Sequence, residues 1–185
     1  MPDTKILDIS KTICVVVDVQ EAFRNAIGDF ALVATNISRA ISGFSILGVP
    51  IVITEQYPKG LGKTAEEIML AVPDSVEIFE KTAFSSFGSA EFSASLDLHG
   101  ATQIVLCGFE THVCVNQTAH DLIARGYQVH LLTDCTASRF EHDRLAGLEK
   151  MRSSGVVASS AEMALFELMR DSRHPKFREI QNLIK

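Results

Sequence analysis

A chain of 185 residues, 46% hydrophobic and 22% charged, has one domain's length and a globular balance, which excludes a disordered polypeptide. Seventeen Lys and Arg against 23 Asp and Glu leave a formal net charge of −6. That is the wrong sign for displacing counterions from phosphates, so nucleic acid is not expected as a partner.

The opening MPDTKILDISK is polar and carries Asp3 and Asp8, where a secretory leader needs a basic start and an apolar stretch. Export is not expected, and a cytoplasmic location is. Ile13–Val17 is apolar and β-branched, which predicts a strand buried on both faces, far too short to span a bilayer, so no membrane is expected. Apolar residues at helical spacing from Phe30 to Leu47 predict a helix stopped by Gly48. Pro50 leads into a second strand, Ile51–Thr54, followed by a turn with Pro58, Gly60 and Gly62 and a short helix over Thr64–Ala71. Val76–Phe79 reads as a third strand, and the Phe- and Ser-rich Thr82–Phe92 leads through a short helix to Gly100. Ile104–Leu106 is a fourth strand ended by Gly108, with a helix from His112 to Arg125 and a fifth strand over Val129–Leu132. Helix Glu141–Ser153, strand Val156–Ala158, helix Ala161–Met169 and an amphipathic Phe177–Ile184 complete the chain. Without repeats or low-complexity segments, residues 1–185 read as one α/β domain, a three-layer Rossmann-like fold with a mostly parallel sheet.

In doubly wound sheets, chemistry sits beyond the carboxyl ends of the strands. Three residues fall there: Asp18 after the first strand, Lys81 after the third, and Cys114 in the first turn of the helix after the fourth. A thiol at a helix N-terminus is drawn toward thiolate by the helix dipole, although such a cysteine alone is more often a packed core residue. Asp18 is costly to bury unpaired. Its position fits a loop cap, a partner for Arg24, or a general base. Lys81 facing inward would pair with Asp18 and depress a thiol pKa; facing outward it is a surface charge.

The remaining signals are weaker. Cys14, Cys107, Cys114 and Cys135 show neither CxxC nor zinc spacing and are expected as reduced thiols. No GxGxxG follows the first strand, and GLGK lacks phosphate-loop spacing, so it reads as a turn. The six histidines form no metal motif. His112 either lines a site or is a hydrogen-bonded surface histidine, and Phe84 and Phe87 fit a pocket wall or the core.

Four motifs, VVVDVQEAF (Val15–Phe23), TEQYPKGLG (Thr54–Gly62), FEKTAFSSF (Phe79–Phe87) and GFETHVCVNQTAHDLIARGYQV (Gly108–Val129), resemble those of the isochorismatase-like, or cysteine hydrolase, family, in the family's order. The closing MRSSGVVASSAEMALFELM and HPKFREIQNLIK resemble the isochorismatase domain-containing proteins. The resemblance implies a six-stranded parallel sheet of order 3-2-1-4-5-6, which sets the first and fourth strands side by side. It implies the catalytic set Asp18, Lys81 and Cys114. It also implies a cis peptide at Phe109–Glu110, with the amides of Glu110 and Cys114 as oxyanion hole. Gln20, Phe23, Tyr57, Phe84, Phe87 and His112 are candidate substrate contacts.

Two departures narrow the implied activity. Nicotinamidases of the family bind a metal through an Asp and two His after the second strand, where this chain has Glu55, Gln56, Tyr57, Pro58 and Lys59; no metal or other cofactor is expected. Isochorismatases proper hydrolyse a vinyl ether without a nucleophilic cysteine, so retention of Cys114 favours acyl chemistry on a small amide, carbamoyl or ester substrate. A thiol redox sensor or a non-catalytic binding protein on the same fold is the alternative, and a nuclease a further one opposed by the acidic balance. With a mean hydropathy of +0.17 the chain is expected to form a homo-oligomer, dimer or larger, as the family usually does. Phe166, Leu168 and Phe177–Ile184 are either interface contributors or simple packing of a terminal helix.

Overall fold

The computed structural model describes residues 5–185; the first four residues of the polar opening read above as no leader, Met1 to Thr4, lie outside the described residues. β1 (Thr12–Val17) is buried along its whole length, as a strand covered on both faces must be. α1 (Phe30–Leu47) follows and ends on Gly48 in the left-handed conformation. Next come β2 (Ile51–Gln56), α2 (Pro58–Leu61), α3 (Glu66–Met69), β3 (Glu77–Lys81) and α4 (Ala90–His99). After β4 (Gln103–Phe109), a π-type turn over Thr111–Val115 leads into α5 (Asn116–Ala124). β5 (Gln128–Ala137), α6 (Glu141–Ser153), β6 (Val157–Ser159), α7 (Ala161–Met169) and α8 (Phe177–Ile184) complete the order.

The six strands form one sheet in the order β3-β2-β1-β4-β5-β6, with every ladder parallel. The implied topology is therefore the observed one, and the strand order reverses between β1 and β4. Two apolar clusters fill the space on either side. Cys14 and Val16 of β1 turn to one, with Ile37, Ile41 and Phe44 of α1 and Leu165 of α7. Ile13, Val15 and Val17 turn to the other, with Phe92 and Leu96 of α4, Leu122 of α5 and Met151 of α6. Among the described helices α1 alone is long and apolar enough to cross a membrane; here its apolar stripe is buried against the sheet and α7.

Helices α1, α6, α7 and α8 have the bounds read from the sequence. The strands run further than their apolar cores, because polar residues at their carboxyl ends are buried with partners. β2 continues through Thr54, Glu55 and Gln56, all buried. β3 is an edge strand of largely exposed residues, and its ladder with β2 ends at Gln56 opposite Lys81. Lys81 is therefore the last residue of the strand rather than the first beyond it. The GLGK turn contains the short helix α2, with Pro58 at its first position, where the missing proline N–H costs nothing. α8 lies on the apolar cluster through Ile180, and Leu168 is buried in it. Leu168 and Ile180 are thus terminal-helix packing, whereas Phe166 is partly exposed.

One glycine fixes the approach of β4 to β1. Gly108 pairs with Val17 and has φ +123; a Cβ there would collide with the Val17 backbone. Only glycine lets the two strands meet at this distance, which brings the turn carrying Cys114 beside the residue after β1.

Candidate active site

Asp18 follows β1 directly, in the left-handed region at φ 53, with its amide bonded to the Thr54 carbonyl at 3.1 Å. Its side chain has no solvent exposure. The carboxylate receives Lys81 Nζ on Oδ2 at 2.6 Å and Thr54 Oγ1 on Oδ1 at 2.7 Å. Neither Asp18 nor Lys81 exposes any side-chain surface. Arg24, the other partner considered for Asp18, sits outside in ion pairs with Glu21 and Glu67 at 2.8 and 2.7 Å. The Lys81 ammonium also donates to Gln56 Oε1 at 2.8 Å and to the Phe84 carbonyl at 3.0 Å. Its three protons are thus taken by protein oxygens, and Lys81 acts on its surroundings through charge.

Sheet geometry explains this convergence. Residues two apart on a strand share a face, so Thr54 and Gln56 point the same way. Register places Thr54 opposite Val17 and Gln56 opposite Lys81. Glu55 points to the opposite face, where its carboxylate accepts from Thr64 N and Oγ1 at 2.7 and 2.8 Å and pairs with Lys63 at 3.1 Å. Among the described residues, no three His, Cys, Asp or Glu side chains converge as a group able to hold a metal.

Cys114 lies within the π-type turn before α5 and is 7% exposed. Burial and the neighbouring Asp18 carboxylate push its thiol up to about 12, with Lys81 opposing them more weakly. The expectation of a thiolate drawn out by a helix terminus is corrected. Cys114 is a buried thiol, and desolvation outweighs the dipole. Cys14, Cys107 and Cys135 have no exposure at all.

The segment leading to Cys114 is tied to the end of β5. The Phe109–Glu110 peptide is cis, as the resemblance implies. The Glu110 carboxylate accepts from Arg139 N and Nε at 2.9 and 3.0 Å. Thr111 and Thr136 hydroxyls meet at 2.9 Å, and Thr136 Oγ1 donates to the Gly108 carbonyl at 2.8 Å. The Glu110 side chain is thereby turned to Arg139.

The candidate pocket residues divide. Tyr57 and Phe84 are half exposed and adjoin the lysine, Tyr57 through its amide on the Lys81 carbonyl at 2.8 Å and Phe84 through its own carbonyl on the ammonium. Tyr57 also borders a cavity of about 360 Å³ with Lys81, Thr82 and Ser89. Phe23 packs edge-on against Phe109, ring centroids 6.2 Å apart. Gln20 is a staple rather than a pocket wall. Its amide accepts from Gln56 N and donates to the Gln56 and Gly62 carbonyls at 2.8, 3.0 and 2.6 Å, leaving no exposed surface. Phe87 packs on Phe92 and under Arg125, and its neighbours Ser85 and Ser86 bond to Asp121 and Thr118 of α5. His112 is held by Ser138 at 3.0 Å and lies 3.8 Å from Asp143, turned to α6.

Sequence reading missed Thr54, Gln56 and Arg139. The first two were legible as period-two companions at the polar end of an otherwise apolar strand. Arg139 lies 29 residues beyond Glu110, its partner, and has no local signal.

A profile of the isochorismatase domain matches residues 12–163. Isochorismatase domain-containing protein 1 of Salmo salar is 44% identical over 168 residues, 91% of this chain and 59% of that protein, so the chain spans about three-fifths of that relative's length. Isochorismatase domain-containing protein 2 of Danio rerio is 37% identical over 178 residues, 96% of this chain and 89% of that protein. Among solved structures, MAR1 ribonuclease from Caenorhabditis elegans superposes with a TM-score of 0.92 at 35% identity, covering 97% of this chain and 92% of the other.

Proposed function

The chain belongs to the isochorismatase-domain family, and on that premise we propose that it is a cysteine hydrolase acting on a small amide, carbamoyl or ester substrate through a Cys114 thioester. The observation that carries the reading is the fully buried Asp18–Lys81 pair beside the buried Cys114 thiol. An ion pair of this kind is weak support for stability, since burying two charges costs about as much as their attraction returns. Its value lies in the base it presents to Cys114.

Asp18 takes the proton from the Cys114 sulfur as that sulfur bonds to the substrate carbonyl carbon. The carbonyl π electrons move to oxygen, and the amides of Glu110 and Cys114 receive the resulting oxyanion, each donor contributing roughly 2.7–4 kcal/mol. As the intermediate collapses, the bond to the leaving group breaks and Asp18 returns the proton to it. Water then adds to the thioester with Asp18 again as base, releasing the acid and restoring the thiol. Lys81 pairs with Asp18 and lowers the cost of sulfur's negative charge. Tyr57, Phe84 and Phe23 serve as substrate contacts in this reading, and the chain works as a homo-oligomer.

Two other readings are disfavoured by specific features. A redox-sensing cysteine is used as thiolate, whereas this thiol is held up at about 12. The name of the Caenorhabditis elegans relative raises RNA cleavage, which the net charge of −6 opposes. RNA cleavage by metal-free protein that disappears in Cys114→Ala would favour that second reading. The test of the main reading is a library of small amides, carbamoyl compounds and esters offered to wild type and Cys114→Ala. Turnover present in wild type and lost in the variant supports it; hydrolysis that survives Cys114→Ala refutes it.

A further inference from the structure

Resting on the base assigned to Asp18 above, we infer that Thr54 is a positioning residue, holding the Asp18 carboxylate in the orientation from which it reaches the Cys114 thiol. Thr54 has no solvent exposure. Its hydroxyl donates to Asp18 Oδ1 at 2.7 Å, while Lys81 holds Oδ2 at 2.6 Å. The two partners pin the carboxylate at both oxygens, and with one of them gone it can pivot about the other.

The partners differ in one chemical respect. An ammonium only donates, so Lys81 serves the anionic carboxylate alone. A hydroxyl donates and accepts. When Asp18 has taken the sulfur's proton, Thr54 can turn its own O–H away and accept from the new carboxylic O–H. It is thus the partner able to follow Asp18 through both protonation states of the cycle. The backbone reinforces the arrangement, because the Thr54 carbonyl accepts the Asp18 amide at 3.1 Å. The same residue therefore fixes both the main chain and the carboxylate of Asp18.

The test compares Thr54→Val, Thr54→Ser and Asp18→Asn in the full chain, with two probes. One is the pH dependence of Cys114 alkylation by iodoacetamide; the other is hydrolysis of p-nitrophenyl acetate. The Asp18 charge holds the Cys114 thiol up. A carboxylate free to turn away therefore moves the alkylation inflection down, by about one pH unit in Thr54→Val, in the direction of Asp18→Asn. Ester turnover falls about tenfold in kcat with little change in KM. Thr54→Ser restores both. Persistent protection of Cys14, Cys107 and Cys135 certifies the fold of each variant, and Thr54→Ala replaces Thr54→Val if valine exposes them. An inflection in Thr54→Val that coincides with wild type, or a serine variant displaced as far as valine, overturns the inference while a shifted Asp18→Asn leaves the base assignment standing. An unshifted Asp18→Asn overturns both.

Discussion

Lys81 Nζ stands 2.6 Å from Asp18 Oδ2 with neither side chain exposed. Removing one partner of such a pair leaves the other charged and desolvated. Lys81→Met is therefore expected to destabilise the fold by about 3–5 kcal/mol, seen as a lowered urea midpoint. It also removes the one charge that lowers the Cys114 thiol, so the alkylation inflection should move up. The double variant with Asp18→Asn should lose less stability than the two singles together, because no uncompensated charge remains. An inflection unmoved by Lys81→Met would return the lysine to a purely structural role.

Cysteine reactivity should follow exposure. Cys114, 7% exposed, is expected to take iodoacetamide first, slowly at pH 7 and faster as pH rises toward its inflection. Cys14, Cys107 and Cys135 should stay unlabelled in folded protein. Cys107 is pushed up by its hydrogen bond with Cys14 and by burial, and Cys135 chiefly by burial. Peptide mapping after brief labelling decides this; equal modification of Cys107 and Cys114 would contradict the placement.

The fold was legible to the extent that burial and apolar pattern coincide. Ile13–Val17 and the stripe from Phe30 to Leu47 are apolar because they face the core, and both elements stand where the pattern put them. The carboxyl end of β5 was not legible, since Thr136 is a polar residue buried against the Thr111 hydroxyl and the Gly108 carbonyl, long-range partners that no local pattern reveals. The site divided in the same way. Asp18, Lys81 and Cys114 could be picked out at strand ends, and the topology explains their meeting. The state of the thiol was misread, because helix-dipole reasoning sees only local sequence while desolvation depends on everything packed around the sulfur. Gln20 looked like a pocket residue beside Asp18, yet its amide is spent on the backbone of the neighbouring strand and loop.

Acid should weaken the fold partly through His130. This β5 residue has no exposure, one ring nitrogen 3.0 Å from Gln128 Oε1 and the other without a partner among the described residues. Burial lowers it from the usual 6.5. A histidine depressed in the folded state is more readily protonated unfolded, so its contribution is present above about 6.5 and is lost as pH falls from there toward the folded value. Glu167 opposes the shift and Lys5 adds to it. Urea midpoints from pH 8 to 5 should fall less steeply in His130→Gln than in wild type; parallel curves would remove His130 from the acid response.

Self-association is expected, as a closed dimer or larger assembly. With α8 and Leu168 committed to the core, the exposed Leu32, Phe140 and Leu145 are the large apolar side chains left near the end of β5 and α6. Light scattering at micromolar concentration should give a multiple of the 20.2 kDa chain, and a monomer would contradict the expectation.

The measurement that bears most directly on the account is Asp18→Asn read by two probes on one preparation. Asparagine keeps the shape and loses both the charge and the ability to take a proton. The account predicts that the Cys114 inflection, held up by burial and by the Asp18 charge, moves down because that anion is gone. It also predicts that turnover of an ester or amide falls ~10²–10⁴-fold because the base is gone. A more easily ionised sulfur with slower hydrolysis is the signature of a general base beside its nucleophile. Hydrolysis that survives Asp18→Asn, or an inflection that stays in place, would contradict it.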